Sequence, residues 1–383
     1  MHISRAKYFC YRNLKEVNIE FTGGVNVLWG LNGQGKSNIL EGIYYFARGR
    51  SFRGAKDRDL IMFGEQGAAC EIEFCKDKSA GAPPSSLKTE IPLSGRKKLM
   101  RNGAQLRGSA EMLGSFRAVL FCPSHLSIVN GGPAERRSFI DIAIAQSSAD
   151  YVYYLSNYRR FLSERNALLK RYASGKSVPR EEWETYAEQL SMAAAEIYAS
   201  RSSYCNQLTG DVKKYFSEMT NGAEDPCLEY VALSGEKADS EGGESPPSLD
   251  ILQDKLMSNI EREAAAGSTL WGPHKDDIKI TINGKAARIF ASQGQQRSIA
   301  LAMKLAEGEI SKRVTGEYPV FLLDDVFSEL DENRRKYIME ELSGRQIIVT
   351  SCEPSVVPSD GSGSGAKYFE VSGGRIADCS QET

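Results

Sequence analysis

The chain has 383 residues, 41% of them hydrophobic and 26% charged, which describes a folded protein of two or three domains with ample core. Forty-eight basic residues against 50 acidic ones leave a net charge of −2. That balance excludes coating of nucleic acid by bulk charge, so any such contact must use local patches or charges brought together by assembly. No run approaches about 18 consecutive apolar residues, so no membrane span is predicted. The segment from Met1 to Lys7 lacks an apolar signal core, and the expected location is the cytoplasm. Eight cysteines without a C-x-x-C pair and three histidines at 2, 125 and 274 offer no zinc spacing, so free, mostly buried thiols are expected.

In chain order, residues 2–29 read as strands. Lys15 to Phe21 alternates polar and apolar positions, and Gly24 to Trp29 is a short apolar run suited to a buried strand. A glycine-rich turn and a helix over Asn38–Ala47 follow. Ala69 to Phe74 alternates again, Lys76–Lys88 reads as a loop, and Ile91–Leu106 reads as a hairpin turning at Asn102-Gly103. From about Glu135 the period becomes helical. Arg136–Arg171 and Glu181–Thr220 predict two long helices joined by residues 174–179, and the second would span about 60 Å. Leu233–Asp250 has the composition of a loop. A strand over Asp277–Ile282 with an Asn283-Gly284 turn comes next. Then come a helix over Gln295–Arg313, a strand over Val320–Leu323, a helix over Glu332–Leu342 and a strand over Gln346–Thr350.

The strongest chemical signal is Gly30-Leu31-Asn32-Gly33-Gln34-Gly35-Lys36-Ser37, which fits G-x-x-x-x-G-K-[S/T] between a strand and a helix. Glycines let successive N–H groups wrap phosphates, and the helix points its positive end at them. Lys36 supplies a point charge to the β- and γ-phosphates, and the Ser37 hydroxyl ligates Mg²⁺. The apolar run Val320 to Leu323 ends in Asp324 and Asp325, delivering acids to the carboxyl end of a strand. Asp324 is the metal candidate and Asp325 the candidate that polarises an attacking water. A plain helix-capping role is the alternative for either acid. Lys36 and Asp324 lie 288 positions apart, so a large lobe is inserted between the two ends of one nucleotide domain. The expected division is an ATPase lobe over 1–130 and 256–383 and a helical lobe over 131–255.

Ser292-Gln293-Gly294-Gln295 at a helix start, 32 residues before Asp324, resembles the signature motif of ABC-type ATPases. In those proteins such small residues approach the γ-phosphate held by a second subunit, so Ser292, Gly294 and Gln295 join the candidate nucleotide-binding residues. Ser328-Glu329-Leu330-Asp331 matches the D-loop of the same class, and reads equally well as a capping box. Together with Gly131 to Asp141, Trp271 to Asp277 and Leu322 to Asp331, these motifs give nearly the whole chain a resemblance to the RecF family of bacterial DNA replication and repair proteins, whose ATPase head is related to SMC-type heads.

The resemblance implies an α/β fold, an ABC/SMC-like P-loop ATPase head with an inserted helical lobe, and ATP with Mg²⁺ as cofactors. It also implies an ATP-dependent homodimer with slow turnover that binds duplex DNA and single-strand gap junctions. Partners would be RecR, RecO and RecA, in repair and the SOS response. A transporter-type ABC subunit, an SMC-like structural head and a binding module with a vestigial loop are the rival readings. The long spacing, the short hairpin and the intact Lys36, Ser37, Asp324 and Asp325 weigh against them in turn.

The sequence departs from the family at Ser124, where an acidic residue is usual after the proline. It also has no histidine after the Gln346–Val349 strand, leaving Thr350 and Ser351 as the hydroxyl candidates for a γ-phosphate sensor, and no glutamine can be assigned to a Q-loop. Basic clusters at Arg48, Arg50, Arg53, Lys56 and Arg58, at Arg96, Lys97, Lys98 and Arg101, and at Arg159, Arg160, Arg165, Lys170 and Arg171 are candidate DNA contacts. Solvated, internally balanced faces are the alternative for each. Arg53 is also within sequence reach of the nucleotide. His274 and the tyrosines at 151, 153, 154 and 158 read as structural.

Overall fold

A computed structural model describes residues 1–76, 83–220, 222, 224–232, 247–357 and 366–379. In chain order the strands begin with β1 (His2–Tyr11), β2 (Leu14–Glu20), β3 (Val25–Trp29), β4 (Gly67–Cys75), β5 (Ser85–Pro92), β6 (Lys98–Arg101), β7 (Ala104–Gln105) and β8 (Ala118–Phe121). They continue with β9 (Pro226–Val231), β10 (Asp277–Ile282), β11 (Lys285–Ala286), β12 (Val320–Asp324), β13 (Ile347–Ser351), β14 (Lys367–Ser372) and β15 (Arg375–Asp378). The chain divides into two compact units, Met1–His125 with Lys304–Thr383, and Leu126–Met303.

The first unit holds two six-stranded sheets. One is antiparallel, in the order β2-β1-β4-β5-β6-β7. Its strands alternate, as in β4, where Ala68, Cys70, Ile72 and Phe74 are buried between half-exposed neighbours. The other runs β15-β14-β3-β13-β12-β8 and is parallel apart from the β14–β15 hairpin. Its central strands are continuous apolar runs because both faces are covered: every residue of β8, β12 and β13 is buried. The helix Lys36–Arg48 follows β3 and buries Ile39, Leu40, Ile43, Tyr44, Phe46 and Ala47. Gly42 sets how closely it lies on β1, since a Cβ there would come within 2.4 Å of the Tyr8 ring.

The second unit is helical with one small sheet, β11-β10-β9. Helix Ala149–Ala173 lies against the 41-residue helix Arg180–Thr220, and β9 and helix Leu249–Ser258 pack along the latter. Helix Ile260–Ala266 packs on Ala149–Ala173, and Arg165 there sits fully buried, 2.6 Å from Glu263. The expected division at 255 and the structural one at 303 differ because β9 and β10 pair with each other, and the helices between them pack on the long hairpin.

The single helix expected over Arg136–Arg171 is two, Pro133–Ala145 and Ala149–Ala173. The Ser148 hydroxyl accepts from Tyr151 N at 3.1 Å and caps the second. The expected hairpin turn exists at Asn102 and Gly103 (φ +50° and +78°), but Ile91 belongs to the preceding strand. Of the loop expected over Lys76–Lys88, residues 77–82 lie outside the described residues and 85–88 are strand. Residues 233–246 of the expected Leu233–Asp250 loop likewise lie outside them. All eight cysteines are free thiols, four of them buried. Among the described residues no helix is long and apolar enough to cross a membrane.

Candidate functional site

The loop Gly30–Gly35 leaves β3 and enters the helix Lys36–Arg48. Gly30, Gly33 and Gly35 have φ of +144°, +79° and +117°, conformations that a side chain disfavours. Two of them are also closely packed. A Cβ on Gly30 would meet the Val371 carbonyl oxygen at 2.3 Å, and one on Gly35 would meet Asn13 Oδ1 at 2.8 Å. The loop is braced from outside. Asn13 Nδ2 donates to Gln34 O at 3.0 Å and its Oδ1 accepts from Asn38 at 2.8 Å, while Gln34 accepts from Gly373 N at 2.6 Å and Gly374 N at 3.0 Å. Cys352 Sγ reaches Asn32 Oδ1 at 3.1 Å.

Lys36 is buried, its ammonium bonded to Gly30 O and, at 2.9 Å, to Leu31 O. Among the described residues, the main-chain N–H groups of Asn32 to Lys36 donate to no protein acceptor. A turn of undonated N–H groups, with a lysine folded over it and a helix beginning behind it, suits a polyphosphate. Ser37, half-exposed in the first turn of that helix, suits an ion beside it.

Asp324 ends β12 and is buried; Asp325 follows with φ +52°. In the parallel sheet Asp324 pairs with Thr350 of β13, and Thr350 pairs with Leu28 of β3. The acids therefore stand two strands, roughly 10 Å, from the strand that carries the glycine loop, at the same sheet edge. The Thr350 hydroxyl donates to Asp324 Oδ1 at 2.9 Å and accepts from Asp325 N at 2.9 Å. Of the two hydroxyls considered as phosphate sensors, Thr350 is thus engaged with the acids, and Ser351 donates to Glu353 O at 2.7 Å.

Downstream, Ser328 Oγ donates to Asp325 O at 2.8 Å. Asp331, not Ser328, caps the helix Glu332–Glu341, accepting from Arg334 N at 3.0 Å, a bond that holds its carboxyl below the usual range. The capping-box alternative for Ser328 is therefore not what forms.

In the second unit Ser292 is exposed just before helix Gln293–Thr315. Its hydroxyl accepts from Gln295 N at 3.2 Å, and Gln295 Oε1 accepts from Ser292 N at 2.6 Å, a reciprocal cap that fixes the turn around Gly294. Gln295 also donates to Glu224. Ile289 and Phe290 just before it are 73% and 66% exposed.

Two of the three basic clusters meet. Lys97 donates to Tyr45 Oη at 2.6 Å and Gly49 O at 3.3 Å and pairs with Asp57 at 3.1 Å, which lays the 96–101 hairpin beside the 48–58 segment. Arg50, Lys56, Arg58, Arg96 and Lys98 are exposed there. Arg53 donates to Asn38 Oδ1 at 2.9 Å, one turn from the phosphate loop. The helical cluster is largely spent internally: Arg159 pairs with Asp141, Arg165 with Glu263 and Arg171 with Glu182.

The Trp271 to Asp277 segment is structural. Arg136 clamps Asp277 through two bonds of 2.7 and 2.9 Å, and Arg201 donates to Pro273 O at 2.7 Å. His274 Nε2 lies 3.0 Å from Thr269 O and must donate to it, so Nδ1 accepts from Tyr158 Oη at 2.6 Å. Burial lowers its pKa to about 4. Tyr151 is buried against Asp141, whereas Tyr153 is exposed.

A glycine loop at the end of one parallel strand and an acid pair at the same edge, with a helical unit inserted between them in sequence, define an α/β head of the ABC/SMC P-loop class. Residues 2–365 match the family described as RecF/RecN/SMC N terminal domain. The chain is 38% identical over 366 residues to the DNA replication and repair protein RecF of Thermoanaerobacter pseudethanolicus, covering 96% of each. It is 34% identical to that of Ruminiclostridium cellulolyticum, over 96% of this chain and 97% of the relative. The chain belongs to the RecF family of DNA replication and repair proteins.

Among solved structures, the recombination mediator protein RecF-ATPrS of the RecFOR pathway superposes with a TM-score of 0.87 at 34% identity, over 99% of this chain and 98% of that one. The corresponding RecF-ATP structure gives 0.88, also at 34% identity, over 98% and 97%. An SMC head bound to the C-winged helix domain of ScpA shares the fold at 0.58 and 17% identity, over 100% and 98%.

Sequence reasoning missed three supports: Thr350 on the acids, Asn13 behind the loop, and Gln34 holding the Gly373-Gly374 turn. Asn13 and the 373–374 glycine pair were visible signals. Thr350 became meaningful only through the register of β12 and β13.

Proposed function

We propose that this protein is an ATP-gated DNA clamp of recombinational repair and replication. The observation that carries the reading is the shared sheet edge, which sets the Gly30–Gly35 loop and Lys36 beside Asp324 and Asp325. Loop N–H groups and Lys36 would hold the phosphates, Ser37 and Asp324 the Mg²⁺, and Asp325 would orient and polarise the attacking water. Mg-ATP, when bound, supplies a phosphoanhydride whose cleavage resets the clamp, so slow turnover is expected.

Ser292, Gly294 and Gln295 of a second copy would complete the pocket, making the nucleotide-bound form a homodimer. The exposed N-terminal turn at Ser292, with its positive helix end, supports that role. Duplex DNA and single-strand gap junctions are the proposed ligands, with RecO, RecR and RecA as partners and a role in the SOS response. The RecF-ATP and RecF-ATPrS structures of relatives from the RecFOR pathway support this reading. The joined cluster at Arg50, Lys56, Arg58, Arg96 and Lys98 is the proposed contact with DNA phosphates.

The test is sedimentation with and without ATP and a gapped duplex, for wild type, Lys36→Arg and Asp325→Asn. Asp325→Asn should persist as a dimer on DNA, and Lys36→Arg should neither dimerise nor be retained. A Lys36→Arg protein that behaves like wild type defeats the gating idea. Rapid dissociation of Asp325→Asn removes the water-activating role.

A further inference from the structure

Thr350 is 1% exposed near the end of β13 and lies opposite Asp324 in the parallel pairing with β12. A hydroxyl has one hydrogen to give and two lone pairs to receive with. Here the hydrogen goes to Asp324 Oδ1 and a lone pair takes the N–H of Asp325, both at 2.9 Å. One side chain therefore fixes both acids, one through its carboxylate and the other through its main chain.

The second bond matters because Asp325 has φ +52°, a conformation that residues other than glycine seldom adopt. Such a turn persists only when its surroundings hold it. Two bonds to its backbone do so: the amide donating to Thr350, and the carbonyl accepting from Ser328 Oγ at 2.8 Å. The β-branched carbon of threonine, packed in a fully buried strand, restricts the hydroxyl to few directions. With its only proton committed to Asp324, the hydroxyl has none to give a phosphate oxygen.

We propose that Thr350 is a positioning residue for the acid pair rather than a phosphate sensor. By engaging Oδ1 of Asp324 it presents Oδ2 to a divalent cation, and by holding the amide of Asp325 it sets the direction in which that carboxylate leaves the strand. The inference rests on the nucleotide-site reading above and goes beyond it by assigning an influence on metal affinity and turnover to a residue that touches neither metal nor nucleotide.

The experiment compares wild type with Thr350→Val, Thr350→Ser, Asp324→Asn and Lys36→Ala in three measurements. These are titration of a fluorescent ATP analogue in EDTA and in Mg²⁺, the Mg²⁺ concentration that half-saturates the nucleotide complex, and kcat and KM for ATP. Partners that orient a metal ligand are typically worth about 10- to 100-fold in metal affinity or activity. Thr350→Val is therefore expected to raise the half-saturating Mg²⁺ at least about tenfold and to lower kcat, with nucleotide affinity in EDTA unchanged. Thr350→Ser, which keeps the hydroxyl, should restore both to within about threefold.

A Thr350→Val protein with the wild-type Mg²⁺ requirement, where Asp324→Asn alters it, overturns the proposal and leaves the site reading standing. If neither Asp324→Asn nor Lys36→Ala changes nucleotide binding, the site reading falls and this inference with it. Should the valine variant fail to fold, Thr350→Cys, a similar volume with a weak donor, is judged by the same Mg²⁺ criterion.

Discussion

Replacing Gly30 with alanine separates the two demands made on the phosphate loop. At Gly33, with φ +79°, the space that a Cβ would enter is open, so Gly33→Ala meets only backbone strain, about 1–2 kcal/mol. At Gly30 the strain is greater, because φ +144° lies beyond the left-handed region that side chains occasionally tolerate. The new Cβ would also sit 2.3 Å from Val371 O, more than about 1 Å inside an ordinary heavy-atom separation. That oxygen is main chain and cannot swing aside. Relief requires β14 to retreat from β3, loosening the pairs from Lys367–Asn26 to Glu370–Trp29.

Overpacking of this kind costs about 1–3 kcal/mol, so, with strain at least that of Gly33→Ala, Gly30→Ala should lose no less than about 2–5 kcal/mol in all. Urea denaturation gives the stability order, and amide hydrogen exchange along β3 and β14 locates the damage. Faster exchange confined to those strands is expected in Gly30→Ala and not in Gly33→Ala. Equal stability of the two variants, or a less stable Gly33→Ala, would refute the claim that β14 backs the loop.

Three further outcomes follow from the same geometry. Arg165→Met leaves Glu263 buried without its cation and removes bonds of 2.9 Å to Thr269 and 2.7 Å to Leu256 O, so it should cost about 3–5 kcal/mol in urea denaturation of the helical unit. Adding Glu263→Gln should recover part of that, and a single-variant loss under about 1 kcal/mol would show the pair to be idle. Folding lowers the pKa of His274 from 6.5 to about 4, so the folded state binds fewer protons in that interval and stability falls as pH drops from 6.5 toward 4. At about 1.4 kcal/mol per pH unit the loss is at most about 3.5 kcal/mol. It should flatten in His274→Gln, measured by denaturation at pH 4.5 and 7. Asp331→Ala removes the 3.0 Å cap on Arg334 N and should destabilise helix Glu332–Glu341 by about 1 kcal/mol, seen as faster amide exchange in its first turn.

The phosphate loop and the acid pair were legible because their chemistry is written in consecutive residues, and a strand–glycine–helix sequence has one geometry. The helices at Arg180–Thr220 and Gln293–Thr315 were legible from period and length. Features fixed by distant pairing were not. The run Ala118 to Phe121 has four apolar residues and cannot be told from a piece of helix until β12 is seen beside it. Lys367 to Ser372 alternates, yet its importance comes from lying on β3, more than three hundred residues earlier. The break at 146–148 carried a readable signal, since Ser147 and Ser148 compete for backbone bonds in mid-helix and Ser148 becomes a cap. Thr350 was legible only as a hydroxyl candidate for a phosphate sensor, and nothing in the local sequence pointed it at the acids. A threonine ending an apolar strand is ordinary, and only the parallel register that places it opposite Asp324, rather than one residue to either side, turns its hydroxyl toward both acids. A one-residue slip would reverse which face each side chain occupies and separate the pair. The organisation of the acids is therefore a property of the sheet, and local sequence supplied only the carboxylates.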